Sequence, residues 1–217
     1  DRLRRDRDLV EVTAPVDRAL EAAEIHRRVV AAGGPALLFS NIGDADYPLV
    51  TNLFGTARRA ELAFGERPQR LIRRLAELVE TALPPTAATL WGARDLMAEL
   101  FRVGVRRVRR GPVTDVVTDD VRLDRLPAMT TWPEDGGPFI TLPLVFTEHP
   151  DGRGHNLGIY RLQIHDACTT GMHWQIAKGG GFHYDVAQTR GAALPVTVFL
   201  GGPPALILSA VAPLPEN

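Results

Sequence analysis

The sequence predicts an α/β protein in two parts: an N-terminal α/β domain over residues 1–110 and a mainly β domain over 111–217. Three observations predict it. The first half carries apolar residues at helical spacing around a short, wholly apolar run. Near residue 105 that periodicity gives way to strand-like alternation interrupted by turns. The 217 residues also suffice for one large domain or two small ones, at roughly 100–200 residues per domain.

The first helix opens near Pro15 and Asp17, with Asp17 as candidate N-cap. Ala22, Ile25, Val29 and Val30 recur at helical spacing until Gly33-Gly34 stop it. Ala36 to Phe39 fits a buried strand. A second helix is expected from about Pro68 to Leu83, with Leu71, Leu75, Leu78 and Ala82 on one face and Pro84-Pro85 at its end. A shorter one is expected at Asp95 to Phe101. Beyond the change of character, Val113 to Val121 leads into Leu126-Pro127, and Trp132 to Gly137 reads as a turn-rich loop. Strands are expected at Phe139 to Val145, Gly158 to Ile164, Met172 to Ile176 and Val196 to Leu200. Pro143 marks an edge or bulge in the first of these. A helix at Phe182 to Arg190 is stopped by Gly191.

Composition excludes several classes. With 25 basic and 26 acidic residues, the chain has no charge surplus for nucleic acid as a principal partner. Residues 101–110 (FRVGVRRVRR) read as a solvated strand face rather than a phosphate site. No apolar run reaches the roughly 18 residues of a membrane span, and the start lacks the apolar core of a signal peptide. A single cysteine, Cys168, makes no internal disulfide, so a reducing, cytoplasmic setting is the expectation.

The chemistry-bearing residues lie in the second half. Strand alternation puts Leu157, Ile159, Arg161, Gln163 and His165 on one face and Gly158, Tyr160, Leu162 and Ile164 on the other. His173 and Gln175 share a face opposite Met172, Trp174 and Ile176. Lys178, the only lysine, precedes Gly179-Gly180-Gly181, a run whose backbone amides can approach an anion. By itself such a run is more often a turn. The spacing is neither a Walker motif nor a dinucleotide fingerprint. His155, His173 and His183 lack zinc spacing, no serine elbow occurs, and Cys168 reads as a bystander.

Taken together, TWPEDGGPFIT (131–141), HNLGIYRLQ (155–163), TGMHWQIAKGGGFHY (170–184) and LGGPPALILSAVAPLPEN (200–217) resemble the UbiD family of decarboxylases, as do GGPALLF (33–39) and TNLFGTARR (51–59). The resemblance runs in order along nearly the whole chain. It implies a cofactor domain built on a split β-barrel of flavin-reductase type, normally followed by a C-terminal domain. It implies prenylated FMN as cofactor, with Mn2+ (or Mg2+) and K+, and reversible loss of CO2 from aromatic or α,β-unsaturated acids. Asn156 matches the metal-binding asparagine, which also serves the cofactor. Ile159, Tyr160 and Arg161 match a cofactor-binding stretch, and Arg161 also matches a catalytic arginine. His173, Trp174 and Gln175 match a second cofactor strand, Lys178 and Gly179 the phosphate-side loop, Thr141 a cofactor-contacting threonine, and Ala212 and Pro213 a segment whose backbone touches cofactor and K+.

Two departures accompany the resemblance. Where some members have a histidine metal ligand, the ungapped match is Lys178, with His183 nearby as the alternative. The family's metal-binding glutamate and remaining catalytic carboxylates fall beyond Asn217. The chain therefore reads as the N-terminal part of a decarboxylase, inactive alone, or as a flavin-binding module or subunit of a split enzyme. An ordinary flavin reductase ranks third. Expected partners are a small carboxylic acid, a homodimer or higher homo-oligomer formed through C-terminal elements, and a flavin prenyltransferase that supplies the cofactor.

Overall fold

The computed structural model describes residues 1–66, 68, 70, 73, 74, 76, 77, 94–101, 108–175 and 178–211. The chain divides into two compact units, Asp1–Ala63 with Val121–Asn217, and Phe64–Asp120.

The larger unit begins with α1 (Arg2–Arg5), β1 (Leu9–Val12), α2 (Glu21–Ala31), β2 (Ala36–Phe39) and β3 (Leu49–Thr51), with α3 (Ala57–Phe64) at its border. β2 is the predicted apolar run and lies central in a three-stranded sheet, parallel to β1 and antiparallel to β3. Both edges of this strand are paired, and its apolar side chains are largely buried, Ala36 and Phe39 fully. Val16, Ala22, Leu37, Phe39 and Ile42 form the core, with Ile25 and Val29 of α2 packed against it. Val30, expected on the same face, is exposed.

Asp17 is not the N-cap of α2. Its carboxylate accepts from the Ala19 amide at 2.8 Å, an Asx turn, and the helix starts only after Leu20 at φ 67°. At the other end Gly33 takes φ 63° and Gly34 N–H donates to the Val29 carbonyl at 2.8 Å, stopping the helix as expected.

The TNLFGTARR segment ties this region together. Asn52 Nδ2 donates to the carbonyls of Gly34 and Pro35 at 3.0 and 2.9 Å. Gly55 packs so closely on Asn52 Oδ1 that any β-carbon would collide with it. Arg59, 3% exposed, bonds Asp8 at 2.7 Å and the Gly34 carbonyl at 3.2 Å.

In the smaller unit α4 (Arg94–Phe101) falls where a helix was predicted and buries Leu96. Residues 68, 70, 73, 74, 76 and 77 are helical, in keeping with the expected second helix. The rest of that helix, Pro84-Pro85 and residues 102–107 lie outside the described residues. Val113 to Val121 is not a strand. A 3-10 turn occupies Pro112–Thr114, and Val113, Val116 and Val117 are more than four-fifths exposed. Thr114 and Thr118 hydroxyls accept from the amides of Gly111 and Asp120. Such local bonds compete with a strand ladder.

The larger unit resumes with β4 (Phe139–Ile140), β5 (Leu144–Glu148), β6 (His155–Ile159), β7 (Leu162–Ile164), β8 (Thr170–Met172), α5 (Gly179–Thr189), β9 (Val196–Phe199) and α6 (Pro204–Ser209). These strands make two open three-stranded sheets, β4-β7-β8 and β6-β5-β9. Two predicted strands are each broken and shared between the sheets. The first breaks at Thr141–Pro143, where fully buried Pro143 has no N–H for a ladder. The second breaks at Tyr160-Arg161, yet its alternation survives: Gly158, Tyr160, Leu162 and Ile164 are buried, and Arg161 and His165 are exposed. The third ends at Met172 rather than Ile176, and the fourth matches to within one residue. α6 is an addition to the predicted elements. No helix among the described residues is long and apolar enough to cross a membrane.

Candidate functional site

The glycine run is not a loop. It is the first turn of α5, with Lys178 as N-cap, so the helix begins three residues before the predicted Phe182. Glycine disfavours a helix by about 1 kcal/mol relative to alanine, and close packing explains its use here. A β-carbon on Gly179 would collide with Asn156 Oδ1; on Gly180 it would stand 2.7 Å from the Trp174 ring and 2.9 Å from Tyr160; on Gly181 it would stand 2.5 Å from the Gln175 carbonyl oxygen.

Around this turn the fold assembles several predicted residues. β6 carries Asn156, and the corner after it carries Tyr160. The Gly180 amide donates to the Tyr160 hydroxyl at 2.9 Å, and Asn156 Nδ2 donates to the same oxygen at 3.2 Å. Trp174 lies 5.0 Å from the Tyr160 ring and stacks on Tyr184 at 5.6 Å and 15°. The Lys178 amide donates to the Gln175 carbonyl at 3.4 Å, and the residue is exposed.

The electrostatics of this corner favour an anion. The first turn of a helix carries amides with no intrahelical acceptor and a partial positive charge. Acidic side chains usually occupy such turns; here there is none, and a lysine caps it. A phosphate fits that donor set. The Asn156 carbonyl oxygen is the type of hard ligand that divalent cations take. Among the described residues no group of three or more His, Cys, Asp and Glu could hold a metal ion, so a metal here would depend on further ligands.

Other predicted residues lie apart from this cluster. The Arg161 guanidinium stands 5.6 Å over the Phe139 ring, while its carbonyl accepts from the His173 amide at 3.1 Å. Among the described residues, no hydrogen bond or ion pair joins the Arg161 guanidinium to Asn156 or Lys178. Thr141 is exposed in the connector between β4 and β5, and His173 and Gln175 are exposed. Ile159 is half-buried and paired with Leu144. Ala212 and Pro213 lie outside the described residues. Sequence reasoning placed little weight on Tyr184 and on Gly180 and Gly181 as packing surfaces; the glycine run was their signal.

His183 is buried on α5, with Nδ1 2.9 Å from the Thr147 hydroxyl and its ring edge-on to His149 at 5.1 Å. Burial lowers its pKa below the ordinary 6.5, and nearby His149 and His155 add to the effect. The sign follows directly. The unfolded chain takes up a proton first, so the stabilisation from neutral His183 is complete above pH 6.5 and is lost as pH falls through the lower native value. His26, lowered by burial, acts in the same direction. Urea unfolding is therefore expected to show stability falling as the pH drops below the ordinary histidine value, with a shallower fall in His183→Gln. An unchanged slope in that variant would contradict the assignment.

Cys168 is exposed, and its thiol bonds the Asp166 carboxylate at 3.4 Å. That bond and the negative charge raise the thiol pKa, while bonds from Thr169 and Cys168 hold Asp166 down to about 2. The thiol is thus protonated at neutral pH, which suits a bystander. Alkylation of Cys168 by iodoacetamide at pH 7.5 is expected to be faster in Asp166→Asn; a slower reaction would contradict this account.

A separate groove of about 700 Å3 lies between the C-terminal end of α5 and β9, lined by Phe146, His149, Ala187, Arg190, Leu194 and Val196 among others. Arg190 is engaged there by Asp151.

Comparison with known proteins places this geometry in context. The 3-octaprenyl-4-hydroxybenzoate carboxy-lyase Rift-related domain (UbiD) matches residues 106–217, and the N-terminal domain of the same enzymes matches residues 1–79. A protein of Chlamydia pneumoniae named as a subunit of 4-hydroxybenzoate decarboxylase is 48% identical over 214 residues, covering 99% of this chain and 36% of that protein. An uncharacterised protein of Chlamydia caviae is 48% identical over 215 residues, covering 99% of this chain and 37% of that protein. The chain thus spans little more than a third of these relatives' length. Among solved structures, vanillic acid decarboxylase of Sedimentibacter hydroxybenzoicus in closed form matches with TM-score 0.76 at 21% identity, over 98% of this chain and 44% of that one. The UbiD-class enzyme HmfF of Pelotomaculum thermopropionicum in complex with FMN matches with TM-score 0.69 at 23% identity, over 98% and 47%. Its evolved dimeric form in complex with prFMN gives 0.72 at 22%, over 98% and 49%. These likenesses show the fold, a mixed α/β arrangement shared with UbiD-class enzymes. With the two family domains matched in order along it, the chain belongs to the UbiD family.

Proposed function

We propose that this chain is the cofactor-binding part of a decarboxylase that uses prenylated FMN, with Mn2+ (or Mg2+) and K+, to remove CO2 reversibly from an aromatic or α,β-unsaturated acid. The observation that carries the reading is the meeting of Asn156, Lys178 and the amino end of α5 at one corner in a chain of this family. A curated relative named as a 4-hydroxybenzoate decarboxylase subunit and two similar structures holding FMN or prFMN support it. Bound prenylated FMN supplies the electron sink that CO2 loss requires and that side chains lack.

The chain's own residues have separate tasks in this reading. Lys178 and the first-turn amides of α5 other than that of Gly180, which the Tyr160 hydroxyl holds, neutralise and fix the phosphate. Asn156 gives its carbonyl oxygen to the metal, with Lys178 or His183 standing where some members have a histidine. Ile159, Tyr160, His173, Trp174, Gln175 and Gly179 line the cofactor's side of the corner, with Thr141, Ala212 and Pro213 as further contacts. Arg161, exposed and without an ion pair among the described residues, orients the substrate carboxylate. The proton donor and a metal-binding glutamate come from a region beyond the match, so the 217 residues alone release no CO2.

The same proposal includes a domain division near residue 110, a split β-barrel completed by further strands, a cytoplasmic setting, homo-oligomerisation, and cofactor supply by a flavin prenyltransferase. A second reading, one component of a split enzyme, is favoured by the Chlamydia pneumoniae relative, whose name makes it a decarboxylase subunit.

FMN titration with and without Mn2+ tests the reading. The protein is expected to bind FMN more tightly with Mn2+, and Asn156→Ala to weaken that binding by at least about tenfold. FMN binding indifferent to both EDTA and Asn156→Ala overturns it. Rapid NADH oxidation by the flavin-loaded protein would favour a flavin reductase instead.

A further inference from the structure

Tyr160 is 3% exposed. Its hydroxyl oxygen accepts from two protein donors, the Gly180 amide at 2.9 Å and Asn156 Nδ2 at 3.2 Å. With two donors on the oxygen, the phenol has only its O–H left to offer. An asparagine amide is asymmetric, with a donor end and an acceptor end. With Nδ2 held by Tyr160, the carbonyl oxygen turns towards Gly179, where it lies too close to admit a β-carbon. One buried hydroxyl therefore fixes both the direction of the Asn156 carbonyl and the seat of the helix turn beside it.

We infer that Tyr160 is a positioning residue: its hydroxyl orients Asn156 so that the amide oxygen, not the nitrogen, faces a hard cation at the amino end of α5. The inference rests on the proposed role of Asn156 and deepens it. It assigns the accepting side of the tyrosine oxygen to protein donors.

The test exploits the symmetry of a carboxylate. Aspartate at position 156 presents an oxygen whichever way it turns, so it has no need of an orienting hydroxyl. Mn2+-dependent FMN affinity is measured by flavin fluorescence in the full chain and in Tyr160→Phe, Asn156→Asp, the double variant and Asn156→Ala, with melting temperatures taken alongside. Tyr160→Phe is expected to weaken affinity by about 10- to 100-fold, the range carried by outer hydrogen bonds to metal ligands. In the Asn156→Asp background the same change is expected to cost less than about threefold, the signature of coupled sites.

Equal losses in both backgrounds mean that Tyr160 acts on the fold alone, and overturn the inference. A loss in Asn156→Ala with none in Tyr160→Phe overturns it while leaving the proposed function standing. No loss in Asn156→Ala, or no Mn2+-dependent binding by the unaltered protein, overturns both. Should Tyr160→Phe not fold, the Asn156 side-chain amide protons of the unaltered protein, assigned by their absence in Asn156→Asp, give the answer by NMR. Slow exchange with water is expected; exchange at the rate of a free amide overturns the inference.

Discussion

Arg59→Ala is expected to destabilise the protein by about 3–5 kcal/mol, the range for removing one partner of a buried ion pair. The guanidinium is 3% exposed and joins α3 to Asp8, just before β1, at 2.7 Å and to the Gly34 carbonyl at 3.2 Å. Removing it leaves the Asp8 carboxylate beside a cavity without its cation, while the Gly34 carbonyl keeps only the Asn52 amide as donor. Its neighbour Arg58 provides the control, since its bond to Asp6 is made by a side chain 59% exposed. Arg58→Ala should cost no more than about 1 kcal/mol. Urea unfolding of the three proteins checks both values, and equal stabilities for the two variants would contradict the account.

Gly180→Ala is expected to damage stability and flavin binding together. The added carbon would stand 2.7 Å from the Trp174 ring and 2.9 Å from Tyr160. Overpacking of this kind costs about 1–3 kcal/mol. Relief requires the amino end of α5 to move out, stretching the 2.9 Å bond from Gly180 to Tyr160 and displacing the amides that face the phosphate. FMN affinity should fall by at least about tenfold, a loss comparable to one charge-assisted hydrogen bond. Gly111→Ala, where a β-carbon meets open space, should stay within about 0.5 kcal/mol of the parent. Unaltered FMN binding by Gly180→Ala would contradict the packing account of the glycine run.

Much of this architecture was legible where burial and local pattern agree. Ala36 to Phe39 reads as a buried strand because all four positions are apolar, and the observed strand has those bounds. The face carrying Tyr160, Leu162 and Ile164 was legible from alternation alone, because the pleat continues through the corner even though the ladder changes sheets. The corner itself was not: nothing in Ile159-Tyr160-Arg161 is a turn residue, and the break follows from pairing with different partners. Val113 to Val121 is rich in β-branched residues yet forms no strand, because the Thr114 and Thr118 hydroxyls bond the local backbone instead.

The candidate site was legible in composition but not in geometry. A lysine before three glycines suggested an anion-binding loop; the residues are instead a helix turn whose glycines accommodate Asn156, Tyr160, Trp174 and the Gln175 carbonyl. The contacts with Asn156 and Tyr160 join segments far apart in sequence, and those with Trp174 and Gln175 reach back beyond one helical turn, so no local propensity reports them. Asn156 and Lys178 flank the same turn, whereas Arg161 stacks on Phe139 without a bond to either.

A crystal structure of the protein grown with FMN and Mn2+ tests the central claim most directly. The account predicts the FMN phosphate at the first turn of α5, within hydrogen-bond distance of its amides and of Lys178 Nζ, with Asn156 Oδ1 directed at the metal. Flavin seated in the groove between α5 and β9, or a phosphate pointing into solvent away from Asn156, would contradict it.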